Sequence, residues 1–317
     1  MTDGPQPAPP DAVADALTSA TRTTYRSLRV AIVAMALLLA TSLVIEIGWG
    51  DGARFGSVSG YFYSPVRNVL VGSLVAIGPA LIAIKGRPGW EDSLLDLAGM
   101  VIPFVAFVPV PVAPGPDGCP GPDRCIPPDL VPGVDNNVTA LLLVGTLVLA
   151  FAWWNRADVP TGSRRVGLVV LTGVWVAFAV WFVGWHDAFL VGAHYAAAIL
   201  FFVCIAGAAA YAARQVNQPP LGKPKGMSPD AYSTAYGWLS LLMLATVVGA
   251  AIAALVGWWR GAEQWPYSLL TVEAVLLGLF VVFWILQTTE NWDEEAVETA
   301  ARSCPPPSGN DANAGQP

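Results

Sequence analysis

Few residues of this chain stand where they could do chemistry in an apolar setting. Glu46, Arg67, Asn68, His194 and Glu273 lie inside or at the edge of long hydrophobic stretches. A charge left unpaired in lipid costs about 3 kcal/mol or more, so each of these needs a partner or water. Arg67 could hold Glu46 or Glu273 as a charged pair, leaving His194 to titrate near neutral pH. Ser59, Tyr61 and Tyr63 stand just before Arg67 and bring hydroxyls to the same neighbourhood. Around His194, Gly192, Ala193, Ala196, Ala197 and Ala198 are small enough to let a second helix approach the imidazole.

Two other chemistries use the same residues. Ser59, His194 and a carboxylate are the ingredients of a metal-free hydrolase acting on a lipid, but no nucleophile elbow surrounds the serine. A hydrolytic zinc site usually takes three protein ligands. This chain has 2 histidines, His186 and His194, which lie about 12 Å apart along a continuous helix. No cofactor or metal is therefore expected, and an enzyme is the less favoured reading. A proton-coupled transporter would place His194 and Glu273 near the midplane on broken helices, for which Pro79 and Pro103 supply breaks.

The elements that must position these residues are membrane spans. The chain is 55% hydrophobic and 12% charged, with a mean hydropathy of +0.55, well beyond a soluble globular domain. No basic stripe interleaved with aromatics suggests nucleic acid. A span needs about 20 mostly apolar residues, since backbone groups left unpaired in hydrocarbon are costly. Eight windows qualify: 29–48, 67–85, 94–112, 137–155, 165–185, 188–212, 234–258 and 267–288. The third is interrupted by Pro103, Pro109 and Pro111. The expected organisation is a cytoplasmic disordered tail over 1–28, a transmembrane domain over 29–288 with an extracytoplasmic loop at 113–136, and an acidic, Pro-rich disordered tail over 289–317.

Basic residues set the orientation, because cytoplasmic loops retain positive charge. With the N-terminus inside, the cytoplasmic segments hold Arg22, Arg26, Arg29, Lys85, Arg87, Arg156, Arg164, Arg165, Arg214, Lys223, Lys225 and Arg302. The outer segments keep Arg54, Arg67, Arg124 and Arg260. Both termini are then cytoplasmic, and Glu46, Arg67, Asn68, His194 and Glu273 share the outer half of the bilayer. Asp96, preceded by Glu91 and Asp92, reads as a solvated helix start on the cytoplasmic side.

Cys119 and Cys125 fall in the outer Pro/Gly-rich stretch APGPDGCPGPDRCIPPD, where a disulfide persists. Cys204 lies within a span and Cys304 in a cytoplasmic tail, so neither is expected to pair. Tryptophans such as Trp49, Trp154, Trp185 and Trp259 gather at predicted interfaces as an aromatic belt.

The stretch from Ser57 to Gly72, SVSGYFYSPVRNVLVG, resembles the signature of an uncharacterised bacterial membrane-protein family with an S-I-S-x-Y-Y-Y-T-x-x-R-D-x-F-V-G segment. Glu91-Asp92, His194-Tyr195 and Glu273-Ala274 echo it downstream, with the fourth and fifth spans inserted. This chain departs with Phe62 for Tyr, Asn68 for Asp and Leu70 for Phe. The resemblance implies a compact helical bundle of the cell membrane and carries no established reaction.

The sequence thus predicts an all-α, multi-pass membrane protein of about eight spans. Its outward polar pocket is drawn from Ser59, Tyr61, Tyr63, Arg67, Asn68, His194, Glu273 and Glu46. Membrane lipid is the expected partner, with a small molecule or an envelope protein as the other candidates.

Overall fold

The computed structural model describes residues 10–50, 52, 54–84, 90–115, 119–155, 163–216, 226–260 and 267–292. Within these the chain forms α1 (Pro10–Trp49), a 3-10 helix (Ser59–Tyr63), α2 (Arg67–Ala83), α3 (Trp90–Phe107), α4 (Val131–Trp154), α5 (Ser163–Gly184), α6 (His186–Gln215), α7 (Pro229–Arg260) and α8 (Ser268–Glu290). No strand occurs among the described residues. Isolated bridges pair Val112 with Cys125 and Pro114 with Cys119. Cys304 and the basic residues Lys85, Arg87, Arg156, Lys223, Lys225 and Arg302 lie outside the described residues, as do the side chains of Arg22 and Arg164.

Each predicted window falls on one helix, and six of the helices, all but α2 and α3, are long and apolar enough to cross a membrane. Helix α2 has 17 residues and α3 has 18. At 1.5 Å per residue these reach about 26 Å, against about 30 Å of hydrocarbon.

Helices α4 and α7 begin before their windows, at Val131 and Pro229, and three further boundaries differ from expectation. Helix α1 begins at Pro10, inside the stretch expected to be a disordered tail. Its first residues are alanine-rich, and proline suits a first helical position. Helix α8 continues to Glu290, past the last apolar window. Helix α3 stops at Phe107, not at 112, because Pro109 and Pro111 disfavour helix in the residues before them and donate no N–H.

Helix α3 is the axis of the bundle. Leu95, Ala98, Val101, Ile102, Phe104 and Ala106 along it are all buried, as expected of a helix apolar on every side. Helices α2, α4, α5 and α6 pack on it; α1 lies on α2 and α8, and α7 on α6 and α8. The α2–α3 crossing has backbone against backbone: a Cβ added at Gly78 would sit 2.8 Å from the Gly99 carbonyl oxygen, and one added at Gly99 would sit 2.5 Å from that of Gly78. Small residues at such crossings let van der Waals contact hold helices together where lipid removes the hydrophobic drive.

Helices α4 and α5 form a hairpin stitched twice. The Trp153 indole donates to the Thr172 hydroxyl at 2.9 Å, and Trp175 donates to Thr146 at 3.1 Å. Their outer faces expose large apolar side chains such as Leu147 and Phe151. Trp49, Trp154, Trp185 and Trp259 are exposed at helix ends, the arrangement of an aromatic belt.

Candidate ligand site

The segment between α1 and α2 folds back under its own serines. Ser57 Oγ accepts the Gly60 N–H at 2.8 Å, and the Val58 carbonyl accepts the Tyr61 N–H at 3.1 Å. Ser64 Oγ donates to the Tyr61 carbonyl at 2.8 Å and accepts the Val66 N–H at 3.2 Å. These bonds satisfy a turn that apolar neighbours shield from water. Tyr61 and Phe62 are buried against Leu39, Leu43, Val66 and Leu70, so the aromatic part of the SGYFY segment is a plug that packs.

Helix α8 clamps this plug. The Glu273 carboxylate accepts the Ser59 N–H at 3.0 Å and the Ser59 hydroxyl at 3.1 Å. One turn earlier, the Leu270 N–H is donated to the Gly56 carbonyl at 2.7 Å. On the other flank, the Tyr63 hydroxyl donates to the Val110 carbonyl at 2.9 Å, joining the plug to the extended segment after α3. Burial raises the Tyr63 phenol above its ordinary ionisation range, opposed in part by Arg67. It stays a neutral donor.

Above the plug lies a cavity of about 980 Å³. Its walls come from the α1–α2 segment at Phe55 and Tyr63, from residues 110–113, and from Tyr195 of α6 and Ser268 of α8. Arg54 and Arg124 also line it. The disulfide loop supplies Arg124: Cys119 and Cys125 are bridged with 5.6 Å between their Cα atoms. Val112 and Cys125 exchange backbone hydrogen bonds at 2.9 and 3.2 Å, holding that loop against the wall. The disulfide expected from the sequence is thus present, and Cys204 is a buried free thiol.

The residues expected to meet at one site divide into groups. Ser59, Tyr63 and Glu273 converge, with Tyr63 in the cavity wall and the Ser59–Glu273 pair behind it. Tyr61 belongs to the buried plug instead. Arg67 pairs with neither Glu46 nor Glu273: its guanidinium stacks 4.2 Å from the Phe62 ring centroid, an exposed cation over an aromatic face. Asn68 is exposed beside it and does not line the cavity. Glu46 folds over the chain reversal after α1, where its carbonyl accepts the Gly50 N–H at 3.0 Å.

His194 does not stand free in a pocket. It is 1% exposed, and its Nδ1 lies 2.7 Å from the Val108 carbonyl oxygen. The cause is the proline-terminated α3. The Val112 N–H, which a continuing helix would direct to Val108, goes to Cys125, and the imidazole takes the orphaned carbonyl. Ser59 meanwhile gives its hydroxyl to Glu273, so serine and histidine are not joined as a hydrolytic pair. The second histidine, His186, lies 2.7 Å from Asp135 and ties α6 to α4. Among the described residues no group of three or more His, Cys, Asp or Glu is placed to hold a metal ion.

At the opposite end of the bundle, Glu91 and Asp92 are buried at 3% and 5% exposure, which corrects the solvated helix start read from the sequence. Gln287 donates to Glu91 at 3.1 Å, Asn291 donates to Gln287 at 2.8 Å, and Tyr236 donates to Glu290 at 2.6 Å. These bonds tie α8 to α3 and to α7. Sequence reasoning missed them, as it missed Arg54, Arg124 and Tyr195 of the cavity. The adjacency of Arg124 to Cys125 and of Tyr195 to His194 were the available signals.

No protein-family model, curated protein or solved structure matches the chain.

Proposed function

We propose that this chain is a non-enzymatic multi-pass protein of the cell membrane, with eight spans and both termini in the cytoplasm, that binds a lipid headgroup or small molecule in an outward-facing pocket. The observation that carries this is the 980 Å³ cavity to whose wall the disulfide loop contributes Arg124. A cleft with apolar walls and a few convergent polar groups is the usual form of a small-ligand site. The disulfide and the bias of basic residues toward the other end of the helices support the outward orientation. Helices α2 and α3 complete the eight spans as shorter segments, α3 buried at the centre and α2 packed on α1 and α3.

Native mass spectrometry with lipid identification tests the reading, on gently purified wild type and on Ala113→Trp, which fills the cavity from its wall. A discrete adduct held by wild type and lost from Ala113→Trp is the expected result. The same bulk lipid on both proteins overturns it.

A further inference from the structure

We propose that the cavity is a site for a phosphate-type anion, with Arg54 and Arg124 as its charge partners and Tyr195 as a hydrogen-bond donor. This rests on the pocket reading above and specifies the ligand.

The two arginines come from segments far apart in the sequence, one between α1 and α2 and one in the disulfide loop, yet both line the same cavity. Neither forms an ion pair with another described residue, and no described lining residue carries a carboxylate. Glu273 is not in the wall and has its oxygens turned to the two Ser59 donors. Among the described lining residues, then, the charged groups are two arginines and no carboxylate. Guanidinium groups present planar forks of N–H donors that match phosphate and carboxylate geometry.

The tyrosines divide the remaining work. Tyr63 commits its hydrogen to the Val110 carbonyl and stiffens the wall. Tyr195 also lines the cavity, and no described residue accepts its hydroxyl hydrogen. It can donate to a ligand oxygen. Phe55, Val112 and Leu269 add apolar wall beside Ser57 and Ser268, and the volume exceeds what one inorganic phosphate needs. A phosphate carried on a larger body fits better, either a lipid headgroup or a soluble phosphomonoester.

The test uses the full-length protein in nanodiscs of phosphatidylcholine with or without phosphatidylglycerol. Lipid retention is read by native mass spectrometry, and binding of inorganic phosphate and glycerol phosphate by calorimetry. Wild type, Arg54→Gln/Arg124→Gln and Ala113→Trp are compared, with thermal unfolding as the control for folding. Preferential retention of phosphatidylglycerol, weakened about tenfold or more by the double arginine variant and abolished by Ala113→Trp, establishes an anionic headgroup. Arginine-dependent binding of glycerol phosphate or phosphate without lipid preference establishes a soluble phosphate source. An adduct that Ala113→Trp removes but the arginine variant keeps sinks the anion assignment and leaves the pocket standing. Absence of any adduct sensitive to Ala113→Trp overturns both.

Discussion

Glu273 holds Ser59 by two hydrogen bonds at once, one to the backbone N–H at 3.0 Å and one to the hydroxyl at 3.1 Å. A single side chain of α8 thereby fixes the start of the 3-10 helix that floors the cavity. Glu273→Ala strips both acceptors and is expected to lower stability by about 1–3 kcal/mol, because the partly buried Ser59 N–H is left unmet. Ser59→Ala loses only the hydroxyl bond and should cost about 1 kcal/mol. Thermal or SDS unfolding in detergent measures both. Equal losses for the two variants would show that the backbone bond contributes nothing.

The Cys119–Cys125 bridge closes a short loop, with a sequence separation of 6, that carries Arg124 into the cavity wall. Cys119→Ser/Cys125→Ser is expected to lose about 2 kcal/mol by the chain-entropy estimate for so small a loop. It should also weaken ligand retention by freeing Arg124. An impermeant maleimide applied to intact cells after an impermeant reductant should label both cysteines in wild type. Labelling that appears only after the cells are opened would reverse the proposed orientation.

Much of the architecture was legible because the lengths of apolar runs are set by the bilayer and each span can be read alone. Each of the eight windows overlaps one helix, although α3 stops short of its window, and the loop cysteines pair. What could not be read singly was the fate of polar groups that depends on a neighbouring helix. Glu91 and Asp92 look solvated in their own window. They are buried where the end of α8 packs against the start of α3 and brings Gln287 alongside Glu91. The small residues around His194 do allow close approach, but what arrives is the Val108 carbonyl, left without an N–H partner by the prolines after α3. Arg67, the first residue of α2, pairs with no described acid and stacks instead on Phe62, five residues before it. The pocket lies one residue away from several predicted members, at Tyr195 in place of His194 and at Gly60 between Ser59 and Tyr61.

Gly78 and Gly99 face each other's carbonyl oxygens across the α2–α3 crossing. In an isolated helix, Gly→Ala gains about 1 kcal/mol from propensity. Here the added methyl meets rigid backbone, so the helices must separate. Gly99→Ala, with the closer contact at 2.5 Å, is expected to destabilise by about 1–3 kcal/mol net. Gly237→Ala, whose new Cβ meets nothing within 4 Å, should be neutral or stabilising. Unfolding curves of the two variants in the same detergent decide it, and a stabilised Gly99→Ala would mean that the crossing is looser than described.

Tyr236 donates its hydroxyl to Glu290 at 2.6 Å, where both residues are buried at the end of the bundle away from the cavity. Leaving one partner of a buried hydrogen bond unsatisfied costs about 1–3 kcal/mol, and Tyr236→Phe removes this bond while keeping the ring that packs on Phe283. The variant should therefore unfold earlier by that amount, with secondary structure intact by circular dichroism. Thr246→Val is the matched control: it also deletes one hydroxyl bond on α7, to the Leu242 carbonyl, but at an exposed position, and should change stability by less than about 0.5 kcal/mol. Combining Tyr236→Phe with Gln287→Leu, which breaks the neighbouring bond to Glu91, separates two cases. Losses that add within about 0.5 kcal/mol mean independent contacts, and a clear departure from additivity means that α3, α7 and α8 are joined through one network.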